Sequence, residues 1–101
     1  NTQLEQVDLI FCLEVLEHTM HPWCVPRNLF SLLKTKGMLV VSVPCFLYWH
    51  PGYPWFGDYV RFLPGSLEIL FGNYFTILNK SLCEYQEAKP LGQIVIMEKT
   101  S

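Results

Sequence analysis

Two short stretches of the chain are almost continuously apolar. Val7-Asp8-Leu9-Ile10-Phe11-Cys12-Leu13 carries one charge, Asp8, and Met38 to Val43 carries none. Such runs predict strands buried on both faces, as in a parallel sheet. Between them the period changes. Val25, Leu29, Leu32 and Leu33 recur at i, i+4, i+7 and i+8, which predicts a one-sided helix from Pro26 to Lys34 or Thr35. Pro26 suits a first helical turn, where its missing N–H costs nothing. Lys34 and Lys36 suit the negative end of the helix dipole, and Gly37 is placed to supply a left-handed stop. Strand, helix and strand in succession predict a βαβ unit with a right-handed crossover.

Pro44 ends the second run, and Cys45 to Leu63 reads as a long aromatic, Pro- and Gly-containing loop. Loops this long in compact domains are usually functional. From Pro64 a short helix carries Leu67, Ile69, Leu70 and Phe71, and Gly72 or Asn73 ends it. Tyr74 to Tyr85 predicts a strand with Phe75 and Ile77 on one face, then Glu84 to Pro90 a polar turn. Gln93 to Glu98 predicts a last strand, antiparallel to its predecessor because the connection is short. The order β-α-β-loop-α-β-β is an α/β fold closed by an antiparallel hairpin. Its ligands are expected at the carboxyl ends of the first two strands, Leu13 to His18 and Pro44 to Asp58.

Composition sharpens this. The chain has 101 residues, enough for one domain; 50% are hydrophobic and only 16% charged. That is low against roughly 25% charge in an average domain, and it predicts a piece of something larger, an oligomer, or a membrane contact. Gly37 to Gly57 holds no Asp, Glu, Lys or Arg, yet Pro44, Pro51, Pro54, Gly52 and His50 interrupt it, so no membrane-spanning helix is expected. The seven Lys and Arg form no basic stripe, so a nucleic-acid partner is not expected. Cys12, Cys24, Cys45 and Cys83 form no C-x-x-C pair, so no zinc site is indicated. With no secretory signal at Asn1 to Gln6, a reducing cytoplasm is the expected location.

Several phrases then resemble one family. VDLIFCLEVLEH, followed by a helix and LLKTKGMLVVSVP, resembles the second half of class I S-adenosylmethionine-dependent methyltransferases. There a fourth strand ends in "V-L-E-H", and a helix ending "L-L-K-x-G-G" leads to a fifth strand ending "S-V-P". HPGYPWFGDYVRFLPGSLEILF resembles a subgroup phrase, "D-Y-x-R-F-T-P-x-x-L", and the closing hairpin resembles the family's reversed last strand. The resemblance covers roughly residues 5 to 99. It implies a partial Rossmann-like methyltransferase sheet, with S-adenosylmethionine as cofactor and a small-molecule methyl acceptor. Leu63 stands where the family has a capping Thr, so the helix after it is expected to start weakly. Thr35-Lys36-Gly37-Met38 has one Gly where the family has two. None of the six glycines forms a Gly-x-Gly turn, so the part of the family's site that holds the cofactor's nucleotide end has no counterpart here. The resemblance therefore implies a C-terminal portion, residues 1 to 101, lacking the N-terminal cofactor-binding strands.

The resemblance implies that backbone groups of Cys12, Leu13 and Glu14 border the methionine end of the cofactor. His18 is either a general base, its ordinary pKa being near 6.5, or a residue that fixes the turn together with Glu17. Glu14, Glu17 and His18 stand at i, i+3, i+4, so on a helical turn they would share a face, either as a divalent-metal site or as a solvated turn; no metal is assigned. His50 faces the acceptor as a catalytic residue, or packs on Trp49 or Tyr53; His21, before Pro22, is expected at the surface. Asp58 and Arg61 pair to pin the loop, or Arg61 holds an anionic acceptor. Tyr59 would wall the acceptor pocket, and Phe46, Tyr48, Trp49, Tyr53, Trp55 and Phe56 form a binding surface or the loop's own core.

Two function classes follow. One is methyl transfer to a small molecule in the complete domain, where alignment and exclusion of water matter more than any catalytic group. The other is a non-catalytic half-domain that pairs with another chain through the exposed edge of strand 7–13. Half of a nicotinamide-dependent dehydrogenase fits less well, because of the reversed hairpin.

Overall fold

A computed structural model describes residues 5–47, 57–86 and 89–100. Among these residues four strands and two helices follow in order: β1 (Val7–Leu13), α1 (Val25–Leu32), β2 (Leu33–Pro44), α2 (Ser66–Phe71), β3 (Phe75–Gln86) and β4 (Lys89–Lys99). Between β1 and α1 lie two 3-10 turns, Leu16–His18 and Pro22–Cys24. The sheet order is β1-β2-β4-β3, with β1 parallel to β2 and both β2–β4 and β3–β4 antiparallel. The expected α/β order and closing hairpin are therefore present.

The core lies on one face of this sheet. Cys12, Leu39, Val41, Val43, Val95, Met97 and Phe75 alternate along the strands and meet Leu67 and Phe71 of α2. Leu29 and Phe30 of α1 pack against the same cluster. Phe71 and Phe75 meet with ring centroids 5.8 Å apart. On β4 the same alternation brings in Lys99, whose buried ammonium donates to the Leu33 carbonyl at 2.7 Å and sits 4.2 Å over the Phe30 ring. The pairing satisfies the charge inside the core.

The opposite face corrects an expectation. β1 is not buried on both faces: Val7, Leu9, Phe11 and Leu13 are all exposed, Phe11 at 63%. Among the described residues no helix covers that side, so the apolar alternation of β1 meets solvent. The two sheet edges also differ. β3 carries exposed Thr76, Asn79, Lys80 and Ser81, a Lys80–Glu68 ion pair at 3.0 Å, and register slips at Ile77/Asn79 and Cys83/Glu84. Charge and bulges protect an edge from added strands. β1 carries only Asp8, paired with Lys34 at 3.7 Å.

The helix-to-strand boundary is a second correction. α1 stops at Leu32, and Leu33 is already extended, fully buried and paired with Val7. Lys34 to Lys36 bulge outward, so that Leu9 pairs with Met38. The left-handed residue is Lys36, at φ 63°, and not Gly37. Gly37 answers a different need, since a Cβ there would lie 2.8 Å from the Lys34 carbonyl oxygen. The start of α2 agrees with the missing Thr: no side chain caps it, and Gly65 leads in at φ 93°. The hairpin strands run closer to their turn than expected, to Gln86 and from Lys89.

Candidate functional site at the carboxyl ends of β1 and β2

β1 ends at Leu13, and the chain then turns sharply. Glu14 sits at φ 54°, a left-handed conformation that costs a non-glycine residue about 1–3 kcal/mol. Two bonds to β2 hold it there. The Glu14 N–H donates to the Ser42 carbonyl at 2.9 Å, and the Ser42 hydroxyl donates to Glu14 Oε2 at 3.1 Å. The next residues wind into the Leu16–His18 turn, anchored by fully buried Leu16. The Thr19 N–H and hydroxyl both donate to the Leu16 carbonyl, at 3.1 and 2.7 Å.

This turn is the dock for the segment that returns from the long loop. The Glu17 carbonyl accepts N–H bonds from Tyr59 at 2.8 Å and Val60 at 3.3 Å. The His18 ring bonds through Nδ1 to the Gly57 carbonyl. Asp58 is fully buried, and both its oxygens accept from the Arg61 guanidinium, at 2.5 and 2.6 Å. Arg61 also donates from Nε to the Leu47 carbonyl at 3.0 Å and from Nη1 to the Val60 carbonyl at 3.0 Å. One guanidinium thus joins the exit of β2 to residues 58–61. Further along, Phe62 N–H donates to the Pro44 carbonyl, and Gln93 of β4 donates to the Phe62 and Leu63 carbonyls at 3.1 and 3.2 Å.

Charge is concentrated and partly unanswered here. The Glu17 side chain is 1% exposed, and its Oε1 has no hydrogen-bond partner. Oε2 lies 3.4 Å from His18 Nε2. Burial pushes the Glu17 carboxyl above its ordinary range, with Glu14 and Asp58 adding in the same direction and the backbone bond and His18 opposing. Burial likewise raises the Cys12 thiol, with Glu17 adding. The folded chain holds the Glu17 proton more tightly than the unfolded chain does. This residue therefore favours folding below the ordinary carboxylate pKa of about 4.3, and that contribution is lost as pH rises through the higher folded-state value. Glu17→Gln keeps the neutral form at every pH. Relative to the parent chain it should gain about 1–3 kcal/mol between pH 4 and pH 8, the cost of an unsatisfied buried group. Urea unfolding across that range checks this; identical pH profiles for the two chains would contradict it.

The sequence-read residues fall into place unevenly. Cys12 is buried in the core, Leu13 is exposed, and Glu14 stands at the turn. The i, i+3, i+4 spacing does not make a common face, because Glu14 lies outside the 3-10 turn and Glu17 points inward. Among the described residues no three His, Cys, Asp or Glu side chains gather as a metal ion would need. Asp58 and Arg61 form the pair that pins the loop. Tyr59 is 56% exposed beside them. His50 and the aromatics Tyr48, Trp49, Tyr53, Trp55 and Phe56 lie outside the described residues, while Phe46 is exposed.

Sequence reasoning passed over three contributors. Ser42 is the lone hydroxyl in the apolar run of β2, and Gln93 the lone amide on the core-facing side of β4. Each breaks its strand's pattern, which was the available signal. The third is the hairpin wall. Leu82, Gln93 and Ile94 line a groove of ≈ 390 Å³ together with Glu14, Ser42 and Leu47.

No protein-family model matches the chain, and no curated protein matches it by sequence. Solved structures match its fold. One is an S-adenosylmethionine-dependent methyltransferase from Clostridium acetobutylicum, with TM-score 0.72 and 11% identity, covering 100% of this chain and 62% of that one. A second is the N-methyltransferase NodS from Bradyrhizobium japonicum in complex with S-adenosyl-L-homocysteine, with TM-score 0.67 and 17% identity, covering 100% of this chain and 50% of that one. A third is the [4+2]-cyclase SpnF, with TM-score 0.70 and 15% identity, covering 94% of this chain and 51% of that one. The chain has the Rossmann-like fold of class I S-adenosylmethionine-dependent methyltransferases, and it spans about half the length of the structures it matches. The cyclase shows that this fold also carries other chemistry.

Proposed function

We propose that the chain forms the acceptor side of a methyltransferase domain that moves a methyl group from S-adenosylmethionine to a small molecule. One observation carries this reading: in a sheet of methyltransferase fold, the exit of β1 and the returning 57–62 segment are fastened together at the carboxyl ends of the strands. Cys12, Leu13 and Glu14 would border the methionine end of the cofactor. The left-handed turn at Glu14 fits that role, because it brings backbone to the strand end without a glycine. The 101 residues hold no Gly-x-Gly turn, so they fit only that end. S-adenosylmethionine, when bound, supplies a methyl already activated on a sulfonium, and the acceptor's N–H or O–H gives up a proton.

The residues present align the acceptor and exclude water. His18, tied to Gly57 and beside Glu17, positions the turn, which favours His50 over His18 where the acceptor needs a base. Tyr59 and Arg61 serve the acceptor from beside its groove, Arg61 by holding Leu47 and Asp58 in place. The test compares two ligands by amide chemical shifts. S-adenosylhomocysteine should shift Cys12, Leu13 and Glu14, and adenosine should not. Equal shifts from both, or none at these residues, would refute the assignment.

A second reading is favoured by the open edge of β1. There the chain is a pairing module, and its exposed apolar strand accepts another polypeptide. Among the described residues no helix is long and apolar enough to cross a membrane.

A further inference from the structure

We infer that the groove between the exit of β1, the end of β2 and the β3–β4 hairpin seats an apolar, ring-sized molecule that carries a cationic amine, with the Glu14 carboxylate as the receiving group. The inference rests on reading the chain as the acceptor side, and it names the class of acceptor.

The size comes first. A volume of ≈ 390 Å³ lies within the range of small-molecule sites, which run from about 300 to 1,000 Å³. The walls are Val43, Leu47, Leu82, Leu91 and Ile94, so the body of the ligand is apolar. Charge decides the rest. Among the described residues that line the groove Glu14 is the only charged side chain, and Arg61 acts from behind it through the Leu47 carbonyl. An anionic ligand would meet that carboxylate, whereas an ammonium would gain a charge-assisted hydrogen bond. The carboxylate is also prepared for this. Ser42 donates to Oε2 and fixes the side chain, and the backbone bond to Ser42 fixes the strained turn beneath it. A left-handed non-glycine residue held by two bonds, with its carboxylate on an apolar groove, is the kind of strain that persists at binding sites. Leu47, which forms one wall, is held in turn by Arg61 through its carbonyl.

Leu82 and Ile94 in the groove's lining are exposed, so a polypeptide is the competing occupant. Charge complementarity favours the small amine, because a polypeptide covering an apolar face would have to bury Glu14 as well.

The test uses the full chain and two probes with the same ring and opposite charge, phenethylamine and 3-phenylpropionate, followed by amide shifts. Phenethylamine should saturate, with shifts centred on Glu14, Ser42, Leu82 and Ile94, and bind about tenfold more tightly than the carboxylate, the worth of one charged hydrogen bond. Glu14→Gln should remove that preference, and Leu82→Trp should fill the groove and abolish binding of both probes. Equal affinities in the parent chain, a preference that survives Glu14→Gln, or shifts centred elsewhere would overturn the inference. So would shifts at these four residues that appear on raising protein concentration without a probe, since a second copy would then occupy the groove. The S-adenosylhomocysteine shifts at Cys12 to Glu14 are measured separately. Probe binding without them leaves the groove standing and removes the methyltransferase reading; the reverse result does the opposite.

Discussion

Arg61→Ala should destabilise the folded chain by about 3–5 kcal/mol, the cost of leaving a buried charge without its partner. Asp58 is fully buried and both its oxygens are taken by Arg61. Truncating Arg61 removes both of these charged bonds from the buried carboxylate and also releases the Leu47 and Val60 carbonyls. A domain of this size has total stability of only about 5–15 kcal/mol, so the variant should sit near its unfolding threshold at room temperature. Asp58→Asn combined with Arg61→Gln keeps hydrogen-bonding capacity without charge and should recover most of the loss. Urea unfolding of the parent, the single and the double variant decides the matter. A loss below about 1 kcal/mol for Arg61→Ala would mean that the pair behaves like a surface ion pair.

Phe11→Lys should weaken self-association of the chain by about 10- to 100-fold, because burying one such side chain is worth about 1.5–3 kcal/mol. Leu9, Phe11 and Leu13 lie exposed on one side of β1, at the unprotected end of the sheet. The other end has the Lys80–Glu68 pair and three register slips. A bare apolar edge is a template for added strands, and a lysine within it is the usual protection. Sedimentation velocity over a concentration series provides the readout, and Ile69→Lys serves as the control. Ile69 is 83% exposed on α2, away from the sheet edge, and should change nothing. Equal association of the parent and Phe11→Lys chains would place the contact elsewhere.

The parts of the fold that depend on periodicity were legible in the sequence. Continuous apolar runs mark β1 and β2, one-sided spacing marks α1, and the short connection between the last two strands marks the antiparallel hairpin. What escaped depends on partners distant in the chain. Lys34, Lys36 and Gly37 carry every local mark of a helix end, yet Leu33 is drawn into the sheet by pairing with Val7. The burial of β1 was misjudged for a similar reason. Its apolar pattern predicts burial on two faces, and among the described residues nothing covers Val7, Leu9, Phe11 and Leu13.

At the candidate site the Asp58–Arg61 pair could be read from two complementary charges three residues apart. The docking of Tyr59 and Val60 on the Glu17 carbonyl could not, because backbone bonds leave no mark in residue type. The apparent Glu14, Glu17 and His18 face failed because one left-handed residue breaks the helical phase between Glu14 and the turn. Part of the low charge content lies on the uncovered face of β1, where Val7, Leu9, Phe11 and Leu13 are exposed.

On the proposed reading, these 101 residues hold the acceptor side and the methionine end of a cofactor site, without the turn that grips the nucleotide end. Calorimetric titration of S-adenosylmethionine into the chain tests it most directly. The affinity should be no tighter than about 1 mM, a binding free energy near −4 kcal/mol, since these residues supply only the methionine end of the site. Saturable binding at micromolar concentration would contradict it.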